Sequence, residues 1–226
     1  MALDKNTARA VGVLLLIQMA SSYLVNFVLL DPVTSAPGGL LANAAASPLR
    51  VGASALAGIA MGLISVAIAI TVWPVLNRHS SRLALWMVAL ALTGFALQAL
   101  QQVGILSVLS LSEALNTAQD SSNDVYKTVA LLARSVRNWA HFTELIVGGG
   151  GMYFVFFAAL FRFRLVPRAL AAFGLIAVVL QVVGVSPPFF GRDVVFPLLA
   201  PLGLALLLLA AWLIVRGFSE TPVAGP

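Results

Sequence analysis

Charged residues are sparse along this chain, and they cut it into long apolar stretches. Runs free of Asp, Glu, Lys and Arg lie between Arg9 and Asp31, Arg50 and Arg78, Arg82 and Glu113, Glu144 and Arg162, Arg168 and Arg192, and Asp193 and Arg216. A helix of about 20 residues crosses a hydrocarbon core of about 30 Å, so each run marks a candidate span. The fourth run is the shortest. A helix crossing there has to extend from Trp139 to Phe161 and carry His141 and Glu144 inside it. Blocks such as GVLLLI and LGLALLLLAAWLIV are continuously apolar rather than alternating, which argues against the strands of a membrane barrel. The pattern predicts an all-α integral membrane bundle of six transmembrane helices, roughly 8–30, 50–76, 83–111, 127–161, 167–188 and 194–216, forming a single domain over 1–226.

Lys and Arg orient the bundle. With six spans, the N-terminus, the 77–82 and 162–168 loops and the C-terminus share one side, which carries Lys5, Arg9, Arg78, Arg82, Arg162, Arg164, Arg168 and Arg216. The other side carries Arg50, Lys127 and Arg192 beside Asp31, Glu113, Asp120, Asp124 and Asp193. Both termini are therefore expected in the cytoplasm of a bacterium, with the chain in its inner membrane. Residues 10–30 read as the first helix rather than a cleaved leader, because Tyr23, Asn26 and Phe27 make a poor small-residue cleavage site.

Composition agrees. Hydrophobic residues make up 61% of the chain and charged ones 9%, against roughly a quarter charged in soluble domains, so lipid is the expected solvent and the bilayer the first partner. A pI near 10.5 resembles a nucleic-acid signal, but the cations sit in loops too short to hold a binding module, so no nucleic acid is expected. With no cysteine and only His79 and His141, thiolate chemistry and Cys-ligated or three-His metal sites are excluded, and no cofactor is expected. His79, in the loop NRHSSR, reads as a solvated side chain.

The tight 77–82 and 162–168 loops make hairpins of helices 2 and 3 and of helices 4 and 5. The 31–49 segment, DPVTSAPGGLLANAAASPL, combines turn residues with an amphipathic piece that either lies at the interface or dips toward the bundle. Asp124 is placed to cap the fourth helix, and Pro74, Pro197 and Pro201 are expected to kink theirs. Ser54, Gly58, Gly62 and Ser65 form a small-residue stripe suited to helix packing. Gly148 to Gly151 stand together in mid-helix, where a close crossing, with Gly148 and Gly151 at the contact, outweighs local unwinding or space for a ligand. Trp73, Trp86, Trp139 and Trp212 fall near helix ends, as interfacial anchors do.

The fourth helix carries the chemistry. Arg134, Arg137, His141, Glu144, Gly148 and Gly151 follow at alternating spacings of three and four and share one face, with Asn138 beside them. At 1.5 Å per residue Glu144 lies about 26 Å above Phe161. Gln98, Gln101 and Gln102 on the third helix, Gln18 and Asn26 on the first, and Gln181 on the fifth reach similar heights. The bundle is thus expected to be dry toward the cytoplasm and polar toward the outside. Ionisable groups in a membrane span normally face a partner or a water-filled cavity.

Three readings of this stripe stay open. It is a buried structural network, with Glu144 paired to Arg137 or His141. It is the polar end of a cavity, formed by Arg134, Arg137, Asn138, His141, Glu144, Gln98, Gln101, Gln102, Asn26 and Gln18, that accepts a small apolar or amphiphilic molecule. Or it is the site of an enzyme using His141 or Glu144 as general base, although no nucleophile or metal set completes one. At the level of the whole protein, the alternative to a binding or accessory protein is a subunit of a larger membrane complex or homo-oligomer, docked through the stripe of Ser54, Gly58 and Gly62.

The segments TARAVGVLLLI (7–17), WPVLNRHSSRLAL (73–85), RNWAHF (137–142) and FRLVPRALAAFGLI (163–176) resemble a bacterial family of polytopic membrane proteins, domain of unknown function 4386, over nearly the whole chain. The resemblance implies a one-domain protein of the bacterial inner membrane and brings no catalytic residue with it. Asn138 stands where the family pattern R-D-W-A has an Asp, so no carboxylate role carries over to that position.

Overall fold

The computed structural model describes residues 2–117 and 123–219, and among them it is helical throughout, with no strand. Helix α1 (Ala2–Tyr23) continues as a π-helical segment, Leu24–Leu30, into the short α2 (Asp31–Thr34). After α3 (Gly39–Asn43) come α4 (Pro48–Asn77), α5 (Ser81–Thr117) and α6 (Asn123–Glu144). A second π-helical segment, Leu145–Gly151, joins α6 to α7 (Met152–Arg162), and α8 (Arg168–Val185) and α9 (Ala200–Val215) complete the chain.

Six of these stretches are long and apolar enough to cross a membrane: Lys5–Thr34, Pro48–Asn77, Ser81–Asn116, Asp124–Arg162, Arg168–Phe190 and Phe196–Val215. The protein is a multi-pass membrane bundle. In such a protein the exterior is as apolar as the interior, and Leu56, Ile70, Leu85, Ile176 and Val183 accordingly turn outward, where lipid tails cover them.

Several local expectations change. Pro197 and Pro201 do not kink the last helix. The first lies in a 3-10 turn, Phe196–Leu198, and the second in the opening turn of α9, where a missing N–H costs nothing. Pro74 does lie inside α4. Asp124 sits within the first turn of α6, accepting a hydrogen bond from Thr128 Oγ1 through its backbone oxygen, rather than ahead of the helix as its cap. Asp120 lies outside the described residues. His79 is half-buried: its Nδ1 lies 3.0 Å from the Val75 carbonyl oxygen and its ring stands 4.8 Å from that of Phe163. Trp212 packs against the core instead of serving only as an anchor, and its Nε1 is buried without a hydrogen-bond partner.

The chain divides into two compact units, one drawn from 1–19, 64–95 and 142–226, the other from 20–63 and 96–141. The first holds a large apolar core in which Leu15, Ile68, Leu76, Met87, Met152, Phe156, Phe157, Leu160, Leu209 and Leu213 are fully buried. Small residues bring its backbones together. A Cβ added at Gly148 would lie 2.5 Å from the Cα of Gly94, so α5 and the second π-helical segment cross backbone against backbone. Gly151 faces the Leu90 side chain. Gly148 is therefore the point of a close backbone crossing, and the four glycines are wound wide as a π-helix rather than unwound. Gln181 Nε2 on α8 donates to the Leu145 carbonyl oxygen at 3.2 Å, taking up an acceptor in this wide turn.

The second unit has a smaller apolar cluster, Leu30, Val33, Leu40, Ala44, Val51, Ile105 and Val108. Three of these, Val33, Leu40 and Ala44, come from the 31–49 segment, which therefore dips into the protein as a strap instead of lying flat at an interface. Its turn is made by Gly38 and Gly39, at φ +85° and +68°, a backbone region that side chains disfavour. The small-residue stripe of α4 is also spent inside the chain. Ser54 is fully buried and donates to the Val51 carbonyl oxygen, Gly58 lies against the Gln102 amide, and Gly62 is buried. It is no lipid-facing surface awaiting a partner.

Candidate functional site

The second unit contains a cavity of about 410 Å³, lined by Thr34, Gly38, Gly39, Leu40 and Leu41 of the strap, Val108 of α5, and Lys127, Ala130, Leu131, Arg134, Arg137 and Asn138 of α6. The six α6 residues follow at i, i+3, i+4, i+7, i+10 and i+11, the spacing of a single helical face. That face is amphipathic along its length, with Lys127 at one end, Ala130 and Leu131 between, and Arg134, Arg137 and Asn138 beyond.

Two local features hold this wall in place. Gly104 on α5 lets α6 come close, since a Cβ there would stand 2.8 Å from the Arg137 Cβ and 3.3 Å from its Cα. The opposing strap is tied by its own hydrogen bonds. Asn43 Nδ2 donates to the Pro37 and Gly39 carbonyl oxygens at 3.0 and 2.7 Å, and the Ala45 N–H donates to Ser112 Oγ on α5 at 3.0 Å. Ser35 Oγ closes the start of the strap on Asp31 Oδ1 at 2.7 Å.

The electrostatics of the lining are one-sided. Lys127, Arg134 and Arg137 are its ionisable residues, and no carboxylate lines it. Lys127 pairs with Asp124 at 3.6 Å, a contact worth little because both side chains are largely solvent-facing. Among the described residues, the guanidinium groups of Arg134 and Arg137 make no hydrogen bond or ion pair.

The residues singled out in the sequence fall into separate places. Arg134, Arg137 and Asn138 line the cavity. Buried Gln98 and Gln101 and half-buried His141 form a chain in the same unit: Gln101 Nε2 donates to Gln98 Oε1 at 3.1 Å, and Gln101 Oε1 lies 3.1 Å from His141 Nδ1. Gln102, 2% exposed, lies against Gly58 with its Oε1 lacking any hydrogen-bond partner. Asn26 is exposed and spends its amide on Ser22 of its own helix, so it joins neither group.

Gln18 and Glu144 belong to the first unit. Gln18 Nε2 donates to Ser65 Oγ at 2.7 Å and its Oε1 accepts from the Tyr153 hydroxyl at 2.6 Å, an amide engaged at both ends and tying three spans together. Among the described residues Glu144 makes no hydrogen bond or ion pair, and Gly148 and Gly149 follow on its face. The network of paired charges therefore has no carboxylate partner in it. His141 Nδ1 faces Gln101 Oε1, and no group of three or more His, Asp or Glu that could hold a metal occurs among the described residues.

Sequence reasoning missed the strap residues, Val108 and Lys127. The spacing from Lys127 through Ala130 and Leu131 to Arg134 was available as a continuation of the polar face. The strap carried only the Gly38-Gly39 turn as a sign that it folds back.

A comparison with curated proteins and with solved structures finds no match. The family described as domain of unknown function (DUF4386) matches residues 10–217. With nearly the whole bundle inside that match, the chain belongs to this family.

Proposed function

We propose that this protein is a membrane-embedded binding or accessory protein that receives a small apolar or amphiphilic molecule into the cavity of its second unit. The cavity carries the reading. About 410 Å³ is within the range of small-molecule sites, which combine apolar walls with a few placed polar groups. Leu40, Leu41, Val108, Ala130 and Leu131 supply the walls, and Arg134, Arg137 and Asn138 supply the polar end. The distribution of Lys and Arg supports an inner-membrane protein with cytoplasmic termini, and the cavity then opens toward the opposite, outer side. Burial of the α4 small-residue stripe within the chain removes the feature that favoured a docked structural subunit.

Photolabelling tests the reading. A diazirine-bearing single-chain amphiphile, irradiated with the purified protein in a non-ionic detergent, is expected to mark the strap and α6 in a saturable way. Substituting Ala130→Phe, which fills the cavity, is expected to remove most of that label while the protein keeps its elution volume. Label spread only over outward residues such as Leu56, Leu85 and Ile176, indifferent to Ala130→Phe, would overturn it.

A further inference from the structure

We infer that the cavity selects an anionic headgroup: its occupant is an amphiphile whose oxyanion, phosphate or carboxylate, sits among Arg134, Arg137 and Lys127. This rests on the cavity being a ligand site and adds the chemistry of the ligand.

Four observations carry it. The lining holds three cations and no carboxylate. Arg134 and Arg137 stand three residues apart on one helix, where like charges repel. Neither guanidinium makes a hydrogen bond or ion pair among the described residues, so their donors are open to a ligand. Leu40, Leu41, Val108, Ala130 and Leu131 add hydrocarbon walls, alongside Thr34, Gly38, Gly39 and Asn138. Guanidinium groups present forked donors that fit the paired oxygens of phosphate and carboxylate, and they are less strongly hydrated than an ammonium group. An oxyanion at the Arg end relieves the repulsion between the two arginines, and an acyl chain fits the Leu-rich remainder. A neutral apolar molecule does neither at the charged end.

The test compares ligands that share one acyl chain, measured by equilibrium binding to the full-length protein in non-ionic detergent. The probes are a monoacyl glycerophosphate, the corresponding fatty acid, the neutral monoacylglycerol, and inorganic phosphate as competitor. The expected result is saturable binding of the two anionic amphiphiles at least about tenfold tighter than the neutral one, with inorganic phosphate displacing neither. Arg134→Gln, at an exposed position with no partner to lose, is expected to cut anionic affinity about tenfold, the scale of a charged hydrogen bond. Arg134→Gln combined with Arg137→Gln is expected to erase the preference, with the thermal transition unchanged for the single variant. Equal affinity for all three amphiphiles, unaffected by Arg134→Gln, would overturn the headgroup assignment and leave the cavity reading standing. Absence of saturable binding by any amphiphile would overturn both. Displacement by inorganic phosphate at concentrations matching the amphiphile would make a free anion the ligand and overturn the amphiphile.

Discussion

At the scale of single residues, the glycines decide how closely the helices approach. Gly94 and Gly148 meet Cα to Cα, and neither side has a flexible atom that can give way, because both are backbone. Gly148→Ala and Gly94→Ala are each expected to cost about 1–3 kcal/mol, the range of overpacked cores. Gly203, in the first turn of α9 with nothing within 4 Å of an added Cβ, is the control, and Gly203→Ala is expected to be neutral or stabilising by up to about 1 kcal/mol. Thermal unfolding in detergent checks the three together, and a Gly148→Ala protein as stable as Gly203→Ala would contradict the crossing. That Gly148 and Gly151 belong to a contact was legible in the sequence, since four glycines in a span need a reason. Their partners Gly94 and Leu90 were not, because the register between two helices is set by packing of the whole unit and leaves no periodic trace on either chain segment. The same holds for Gln18, whose amide reads as a possible ligand group until Ser65 and Tyr153 are found to use both ends of it.

At the scale of elements, the strap and α6 together make the site. The strap is held by few apolar side chains, Val33, Leu40 and Ala44, and by a turn that depends on two glycines at positive φ. Gly38→Val places a β-branched residue at φ +85° with its Cβ 2.6 Å from that of Ala42, and costs about 1–2 kcal/mol for the backbone conformation alone. The expected consequence is local. Hydrogen exchange of the 39–47 amides quickens, while α7, α8 and α9 keep their protection. Uniform exchange across both regions would show that the strap is not a separately stabilised element. The helices themselves were readable from charge spacing, because a membrane span has to be long and apolar, with few charges. Their irregular ends were less so. The π-helical turns at Leu24–Leu30 and Leu145–Gly151 and the 3-10 turn at Phe196–Leu198 keep the same apolar composition as an α-helix, so hydropathy cannot distinguish them.

At the scale of the molecule, polar chemistry is distributed unevenly between two units. One has an extensive apolar core, in which the Gln18 amide joins Ser65 and Tyr153 and the Gln181 amide donates to the Leu145 carbonyl oxygen; the other holds the glutamine–histidine chain and a cationic cavity. Of the residues that the sequence grouped together, Asn26 spends its amide on Ser22 of its own helix instead. The cationic cavity is expected to hold a small molecule in the cell, and native mass spectrometry of the protein released from a mild detergent checks this. The predicted result is a discrete, stoichiometric adduct of lipid-like mass that is lost in the combined Arg134→Gln and Arg137→Gln variant. A protein that flies only at its bare mass, or with an adduct indifferent to both arginines, would contradict it.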